Sequence, residues 1–167
     1  MTGGREADAG FPDPVTVLPP AGDPTSVATP VGFAVRYAPG AFRAVLAADP
    51  AQLSPAREAL RAWLVGLGVG EEVVEVVLIA VGEACANAIE HGYRFASLAT
   101  VTVQARLHAD RLEIEVSDTG GWREAPSDGW DRGRGRLIMA RLMDEARIDG
   151  TPDGTTVRLV KRLTGNS

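Results

Sequence analysis

A glutamate and an asparagine stand four residues apart in an aliphatic stretch of the chain. Glu83 and Asn87 interrupt residues 73–89, which otherwise hold mostly Val, Ala, Leu and Ile. Positions i and i+4 of a helix share one face and lie about 6 Å apart along its axis. A carboxylate in such surroundings is costly unless it is paired or acts on a ligand. The pattern predicts either a ligand site or two polar residues on the solvent side of an amphipathic helix.

The chemistry of these two side chains suits a metal-bound phosphate. The amide oxygen of Asn87 can coordinate a hard cation such as Mg²⁺, which keeps water and phosphate oxygens as its other ligands. Glu83, one helical turn away, could accept the proton of a water or hydroxyl that attacks a terminal phosphate. Glu83 is therefore the candidate catalytic residue, and Asn87 is the candidate metal ligand.

A third candidate, Asp118, follows the alternating residues 112–117 and precedes Thr119-Gly120-Gly121. An aspartate in this position commonly begins a turn by accepting a hydrogen bond from its own backbone. Its carboxylate could instead accept a hydrogen bond from the exocyclic amine of adenine, with Gly120 letting the base approach the backbone closely. The sequence leaves both interpretations open.

Two glycines precede a short predicted helix. Gly133 and Gly135 belong to the sequence Gly-Arg-Gly-Arg, which leads into that helix. Backbone amides at a helix N-terminus bind phosphate, and glycines let the phosphate come close. Arg134 and Arg136 would add positive charge. Because flexible loops are also rich in glycine, this pattern taken alone favours neither a phosphate site nor a plain loop.

Three helices are predicted to position these residues. The first begins with a serine cap followed by proline, and glycines end it. The second begins with two glutamates, which complement the helix dipole. Its middle, residues 76–81, is apolar on every side, which predicts a helix inside the protein. The predicted bounds are about Ser54 to Gly68, Glu71 to His91 with Gly92 as the stop, and Arg136 to Met143.

Alternating residues predict the strands of a sheet. Residues 101–107 and 112–117 alternate cleanly between apolar and polar side chains, which indicates one buried and one wet face. We therefore expect an antiparallel sheet that helices cover on one side. Residues 119–134 are too long for a simple connection and are predicted to form a functional loop. The other strands are predicted at about 31–37, 42–48, 145–149 and 155–163.

Composition limits the other classes of function. The chain has 167 residues, 45% of them hydrophobic, and a formal charge of −5, which argues against a nucleic-acid surface. A single cysteine excludes an internal disulfide, and with only two histidines it argues against a zinc cluster. Residues 1–30 are rich in proline and are predicted to be a flexible tail before a domain spanning 31–167. No signal or membrane-spanning pattern is found, so we expect a cytoplasmic protein.

The order of these motifs resembles a known ATP-binding domain. A Glu-x-x-x-Asn helix, an Asp-x-Gly strand end, a glycine-rich stretch and a Gly-Thr-Thr strand are shared by gyrase, MutL, the heat-shock chaperone of that class and sensor histidine kinases. Residues 82–93 (GEACANAIEHGY), with 142–145 (LMDE) and 154–157 (GTTV), are most similar to the anti-sigma-factor serine kinases. The resemblance covers about residues 42–163.

This resemblance implies a fold, an activity and partners. Members form an α/β sandwich in which a mixed, mostly antiparallel sheet carries helices on one face. They bind a sigma factor and use ATP to phosphorylate a serine on an antagonist of the anti-anti-sigma type, commonly as homodimers. The resemblance also implies the role of each residue in this chain. Glu83 would be the base, Asn87 would hold Mg²⁺, Asp118 with Gly120 would read adenine, Gly133 and Gly135 would lie under the phosphates, and Thr156 would support the adenine side.

One position departs from the family pattern and supports an alternative. The first glycine loop of the family usually reads Asp-x-Gly-x-Gly, but Trp122 stands where the second glycine belongs. The loop at 122–130 is therefore expected to close over nucleotide differently, which bears on turnover more than on binding. The alternative is a regulatory module that binds ATP and a sigma factor without catalysis. A sensor histidine kinase fragment and a gyrase-like ATPase are disfavoured, because neither a phosphoacceptor hairpin nor a transducer domain is recognised.

Overall fold

A computed structural model of the chain describes residues 33–95, 99–119, 130–151 and 154–164. The predicted tail at 1–30, Gly120 and Trp122 lie outside the described residues, so those expectations stay predictions. Strands and helices follow one another along the described residues, and a short 3₁₀ helix, Pro50–Gln52, precedes the first α-helix. The elements are β1 (Phe33–Ala38), β2 (Ala41–Ala47), α1 (Leu53–Gly66), α2 (Glu71–Phe95), β3 (Thr100–Leu107), β4 (Arg111–Asp118), α3 (Trp130–Leu142), β5 (Glu145–Thr151) and β6 (Gly154–Arg162).

The strands form one open sheet in the order β1-β2-β3-β4-β6-β5. Each described pairing is antiparallel, so the sheet that was expected to be mixed and mostly antiparallel is antiparallel throughout the described strands. Helices α1 and α2 pack on the same side of this sheet. The predicted two-layer α/β sandwich is confirmed.

The two faces of the sheet differ as the alternation predicts. One face is buried under the helices and supplies apolar side chains to the core. The opposite face is charged, and Arg158 there bonds to Glu115 at 3.1 Å and Asp149 at 3.4 Å. Because side chains alternate along a strand, this polarity fixes which strand residues can reach the helices. The buried strand residues include Phe42, Ala44, Leu46, Val101, Val103, Ala105, Leu112, Ile114, Val116, Val157 and Leu159.

Helix α1 begins earlier than predicted. Ser54 lies inside α1, and the N-cap position of that helix is held by Gln52 without a side-chain hydrogen bond. Asp49 instead caps the preceding 3₁₀ helix, since its carboxylate accepts a hydrogen bond from the amide of Ala51 at 2.9 Å and a proline follows it. The 3₁₀ turn then leads directly into α1. At the other end the prediction is confirmed, because Gly68 has a φ of +75° and the amide of the next residue bonds to Leu64. This geometry is a Schellman motif, which glycine favours.

Helix α2 is the central element of the helical layer. It contacts α1, α3 and strands β3, β4 and β6, and the side chains that it turns toward them between Val74 and Ile89 are buried. It continues through Gly92 to Phe95, so the predicted stop at Gly92 is wrong. The expectation that residues 76–81 are buried all round also needs one correction, since Ile79 is 42% exposed. Tertiary packing outweighs the modest cost of one glycine inside a long helix.

Helix α3 also begins earlier than predicted, at Trp130 rather than Arg136. Residues 130–135 contain two glycines and no aliphatic residue, so they carry no apolar periodicity from which a helix could be predicted. Contact with α2 supplies the stabilisation that this segment lacks in intrinsic propensity. Leu78 and Ile79, which are adjacent on α2, allow the packing of the helical layer to be tested.

We expect Leu78→Ala to lower the free energy of unfolding by about 2–5 kcal/mol, because it empties a site in the core. Leu78 is 2% exposed, whereas its neighbour Ile79 is 42% exposed. Ile79→Ala should therefore cost less than about 1 kcal/mol. Urea unfolding of both variants measures the difference, and equal losses would contradict the assigned orientation of α2.

Burial raises the pKa of the Cys85 thiol to about 12, from its ordinary value of 9.0. The folded state thus keeps the proton more tightly, and this contribution to stability is present below about pH 9 and declines as the pH rises toward 12. We expect the native thiol to resist maleimide at pH 8 and to react fully once urea unfolds the chain. Rapid labelling of the native protein would contradict the buried placement.

Candidate functional site

Glu83 and Asn87 lie together on the side of α2 that faces α3. Both are half-buried, and α3 approaches them at Gly135. A Cβ placed on Gly135 would lie 3.1 Å from Asn87 Nδ2 and 3.2 Å from Glu83 Oε2. The alternative in which both side chains simply face solvent does not hold. A carboxylate and an amide instead meet the backbone of a second helix.

The two glycines of α3 have different surroundings. Gly135 is buried on the α2 side, whereas Gly133 is exposed and a Cβ there would meet nothing within 4 Å. Both lie inside α3, so the expectation of a glycine loop that precedes a helix is wrong for this structure. Since only the first four amides of a helix lack internal partners, Gly133 but not Gly135 offers a first-turn amide to an anion.

The opposite end of α3 is anchored to β6. Lys161 Nζ donates to the carbonyl of Leu142 at 3.0 Å, where a cation also complements the helix dipole. The Asp144 carboxylate accepts a hydrogen bond of 2.7 Å from the amide of Arg162. This bond lowers the pKa of Asp144, with Lys161 acting in the same direction. The anchored end fixes the angle at which α3 crosses Glu83 and Asn87.

Asp118 ends β4 on the helix-covered face of the sheet. It pairs with Val101 of β3 and is only 9% exposed. The next residue, Thr119, accepts a hydrogen bond from the amide of Thr100 at 3.1 Å and donates its own amide to the same residue's carbonyl at 3.2 Å. These bonds hold the strand end in place and present a carboxylate at a fixed position beside the helical layer.

A close backbone contact links Asp118 to the start of β6. Gly154 has a φ of +154°, and a Cβ there would overlap the carbonyl oxygen of Asp118 and lie 3.5 Å from its Oδ1. The Thr155 amide donates to Asp118 Oδ1 at 3.4 Å. Only glycine fits at this contact, because any side chain would meet both backbone strain and a clash.

Thr156 lies on the opposite face of the sheet from Asp118. Thr156 pairs with Ser117 of β4, and alternation places both on the open face of the sheet, opposite to Asp118. Thr155 lies on the same face as Val157, and its amide reaches Asp118. The threonine beside the predicted adenine-reading carboxylate is therefore Thr155. Strand alternation read outward from Val157 would have pointed to it.

The predicted site residues therefore fall into two groups and a remainder. Glu83, Asn87 and Gly135 form one group, and Asp118 forms the other with Gly154 and Thr155, which sequence reasoning missed. Gly133 and Thr156 join neither group, and Gly120 lies outside the described residues.

The described part of the chain holds no cluster of three or more His, Cys, Asp or Glu side chains that could bind a metal by themselves. Within that same part, no helix has both the length and the apolar character that crossing a membrane requires.

The sequence and fold were compared with known proteins. Residues 46–161 match the histidine kinase-like ATPase domain. The chain belongs to this family. The match spans α2, β3, β4, α3 and the final hairpin, and thus both groups of site residues. Membership of an ATPase family makes ATP the nucleotide that this ATPase domain uses.

Individual relatives define the branch of the family. The ATPase domain is 31% identical over 133 residues to the serine-protein kinase RsbW of Bacillus velezensis, covering 71% of this chain and 82% of that protein. It is 30% identical to an anti-sigma F factor of Thermoanaerobacter sp., covering 72% of this chain and 82% of that one. These matches confirm the resemblance to the anti-sigma-factor serine kinases.

A solved structure supports the same assignment. It contains the RsbU and RsbW domains of a Mycobacterium tuberculosis protein, and it matches with a TM-score of 0.62 and 27% identity. The match covers 74% of this chain but only 32% of the solved one, so the ATPase domain corresponds to about a third of that longer protein. The two-layer architecture is thus shared with an RsbW-containing structure.

The two glycines of α3 offer a matched pair for testing the contact with α2. Alanine usually stabilises a helix by about 1 kcal/mol relative to glycine. We expect Gly133→Ala to show this gain, because its Cβ would meet nothing within 4 Å. Gly135→Ala should lose the gain or reverse it, since its Cβ would press on Glu83 and Asn87. Thermal unfolding without nucleotide measures both, and equal gains would contradict the close approach of α3.

Proposed function

We propose that this chain is an ATP-dependent regulatory serine/threonine protein kinase that binds a sigma factor and phosphorylates a serine of an anti-anti-sigma antagonist. One observation carries the proposal. The carboxylate of Glu83 and the amide of Asn87 lie side by side against the backbone of α3 at Gly135, where a Cβ would fill the space. The roles given to individual residues below are part of the proposal.

The residues present fit a nucleotide with its magnesium ion. Asn87 supplies an amide oxygen of the kind that Mg²⁺ accepts, and a single protein ligand suits an ion that keeps water and phosphate oxygens around it. Asp118 supplies a nearly buried carboxylate that can accept a hydrogen bond from the exocyclic amine of adenine. Gly154 brings the β6 backbone close to that carboxylate. When bound, magnesium ATP supplies the phosphoryl group for transfer.

Glu83 would act on the incoming serine. Its carboxylate accepts the hydroxyl proton as the serine oxygen bonds to phosphorus, while the bond to the leaving ADP breaks. Asn87, one turn away, would hold the Mg²⁺ ion, which would supply positive charge to the phosphate. Positioning of the reacting groups supplies most of the rate enhancement in phosphoryl transfer. The rigid α2 backbone is therefore as important for the reaction as the carboxylate of Glu83.

The choice of protein partners rests on the relatives. Two of them are a serine-protein kinase and an anti-sigma F factor, and both match this chain over most of their length. We extend those functions to this chain and add a cytoplasmic location and a homodimeric state from the same family resemblance. Residues 31–167 would form the ATP-binding domain, and residues 1–30 a tail.

The decisive experiment follows phosphoserine on an antagonist. The protein is mixed with magnesium ATP and the anti-anti-sigma proteins encoded by the source genome, and phosphoserine is measured by mass spectrometry. We expect Glu83→Gln to reduce transfer by about 100- to 10,000-fold, as loss of a general base does. Binding of a non-hydrolysable ATP analogue with Mg²⁺ should persist, because the glutamine keeps the size of the side chain.

A control on the same helix separates chemistry from folding. Glu72→Gln removes an exposed carboxylate at the start of α2 and should leave transfer unchanged. Equal loss of transfer and nucleotide binding in Glu83→Gln would reassign Glu83 to a structural role. Nucleotide binding by wild type without transfer to any antagonist would favour the non-catalytic binding module instead.

A further inference from the structure

Two charged residues of the described strands lie on the helix-covered face of the sheet. One is Asp118 at the end of β4, and the other is Lys161 near the end of β6. Lys161 pairs with Leu112, which is fully buried, and follows the buried Leu159 by two residues. A charge beside an apolar core is costly unless it is paired. The position of Lys161 therefore needs an explanation that strand packing does not supply.

The ammonium of Lys161 is turned toward the end of α3. Its Nζ donates to the carbonyl of Leu142, the last residue of that helix, at 3.0 Å. The last carbonyls of a helix lack internal partners, and a cation beside them complements the helix dipole. Only 23% of the lysine side chain is exposed, as is usual when an aliphatic stem covers apolar surface. Lys161 thus satisfies a backbone group that the helix itself leaves open.

A second set of bonds joins the same two elements. Asp144, two residues after the end of α3, accepts a hydrogen bond of 2.7 Å from the amide of Arg162, and its carboxylate lies 3.7 Å from Lys161 Nζ. The amide of Asp144 donates to the carbonyl of Val160 at 2.9 Å. The C-terminal end of α3 is therefore held by β6 through both side-chain and backbone bonds.

This end of α3 determines the position of its contact with α2. Gly135 lies seven residues before Leu142, which is about two turns, or about 10 Å along the helix axis. The contact leaves little room, because a Cβ on Gly135 would lie 3.1 Å from Asn87 and 3.2 Å from Glu83. The hydrogen bonds within the helix keep so short a segment rigid. A slide or rotation at Leu142 would therefore change the surroundings of both polar side chains.

Strand β6 also holds the second group of site residues. The Thr155 amide bonds to Asp118 near the start of this strand, and Lys161 follows six residues later, about 20 Å along it. The strand pairs with β4 on one side and β5 on the other. One strand that is held on both sides thus connects the carboxylate proposed for adenine to the helix beside the proposed base.

We propose that Lys161 is a positioning residue for phosphoryl transfer, because it holds α3 where Gly135 contacts Glu83. This inference rests on the proposed function. Lys161 acts through α3 and not on a reacting atom. It sets the surroundings of the base and of the metal ligand Asn87, so its loss affects the chemical step more than the capture of nucleotide at Asp118.

The first measurement tests the anchor and requires no kinase activity. Lys161→Met keeps the aliphatic stem and removes the ammonium. Hydrogen exchange of the amides at 136–142 in the nucleotide-free full chain should become about tenfold faster, as expected when a hydrogen bond from a charged group is lost. Lys161→Arg should exchange as wild type does, because a guanidinium can donate to the same carbonyl.

The second measurement is phosphoserine formation on an anti-anti-sigma antagonist. The kcat is expressed per bound molecule of a magnesium ATP analogue, so that unfolded protein does not contribute. We expect Lys161→Met to lower this kcat about tenfold while the KM for ATP changes by less than about twofold, since the surroundings of Asp118 are kept. Lys161→Arg should recover most of the loss, which a merely structural role of the lysine stem would not produce.

Arg158→Met is the matched control. It removes a cation from the same strand, but Arg158 lies on the open face and bonds there to Glu115 and Asp149. It should leave both the exchange of α3 and the kcat unchanged. Asp144→Ala removes the second side-chain bond to β6 from an exposed position and should shift both measurements in the same direction as Lys161→Met. This variant keeps the test available if Lys161→Met does not fold.

Three results would overturn this role of Lys161. The first is unchanged exchange of α3 in Lys161→Met, which would remove the anchor. The second is faster exchange with wild-type kcat, which would leave the kinase proposal intact. The third is an equal loss of kcat in Lys161→Arg and Lys161→Met, because the donated bond would then not be the cause. Failure of wild type to phosphorylate any antagonist, despite binding of the ATP analogue, would overturn the proposed function while the exchange measurement still reports on the anchor.

Discussion

The site depends on the close approach of one helix backbone to two polar side chains of another. Gly135 lets α3 lie within contact distance of Glu83 and Asn87, and a Cβ there would press on the ends of both side chains. The approach keeps both side chains half-buried, so their electrostatics act in a medium less screened than water. It also ties the position of α3 to the two residues that would meet metal and phosphate.

A second glycine, Gly154, also allows a close backbone contact, at the edge of the helical layer. Gly154 brings the start of β6 against Asp118, and the Thr155 amide donates to the same carboxylate. Both contacts place a glycine backbone beside an acidic side chain that the sheet or the central helix holds rigidly. A nearly buried carboxylate needs such donors to remain stable while it faces a ligand.

Helix α3 connects the site to the far end of β6. Its C-terminal end is fixed by Lys161 and Asp144, and its inner face meets the catalytic candidates. The position of Gly135 beside Glu83 thus depends on the bonds between β6 and α3 as well as on the fit of α3 to α2.

The sequence by itself determined the features that depend on local periodicity. The spacing of Glu83 and Asn87 placed them on one helix face, and strand alternation gave a sheet with one covered side and Asp118 at a strand end. It did not give the start of α3, because residues 130–135 have no apolar pattern and gain their helical structure from α2. Nor did it select Thr155 over Thr156 or reveal the contact of Gly135, since residues far apart in the chain meet only after folding. Periodicity reports which way a side chain faces, and only the packed structure decides what it faces.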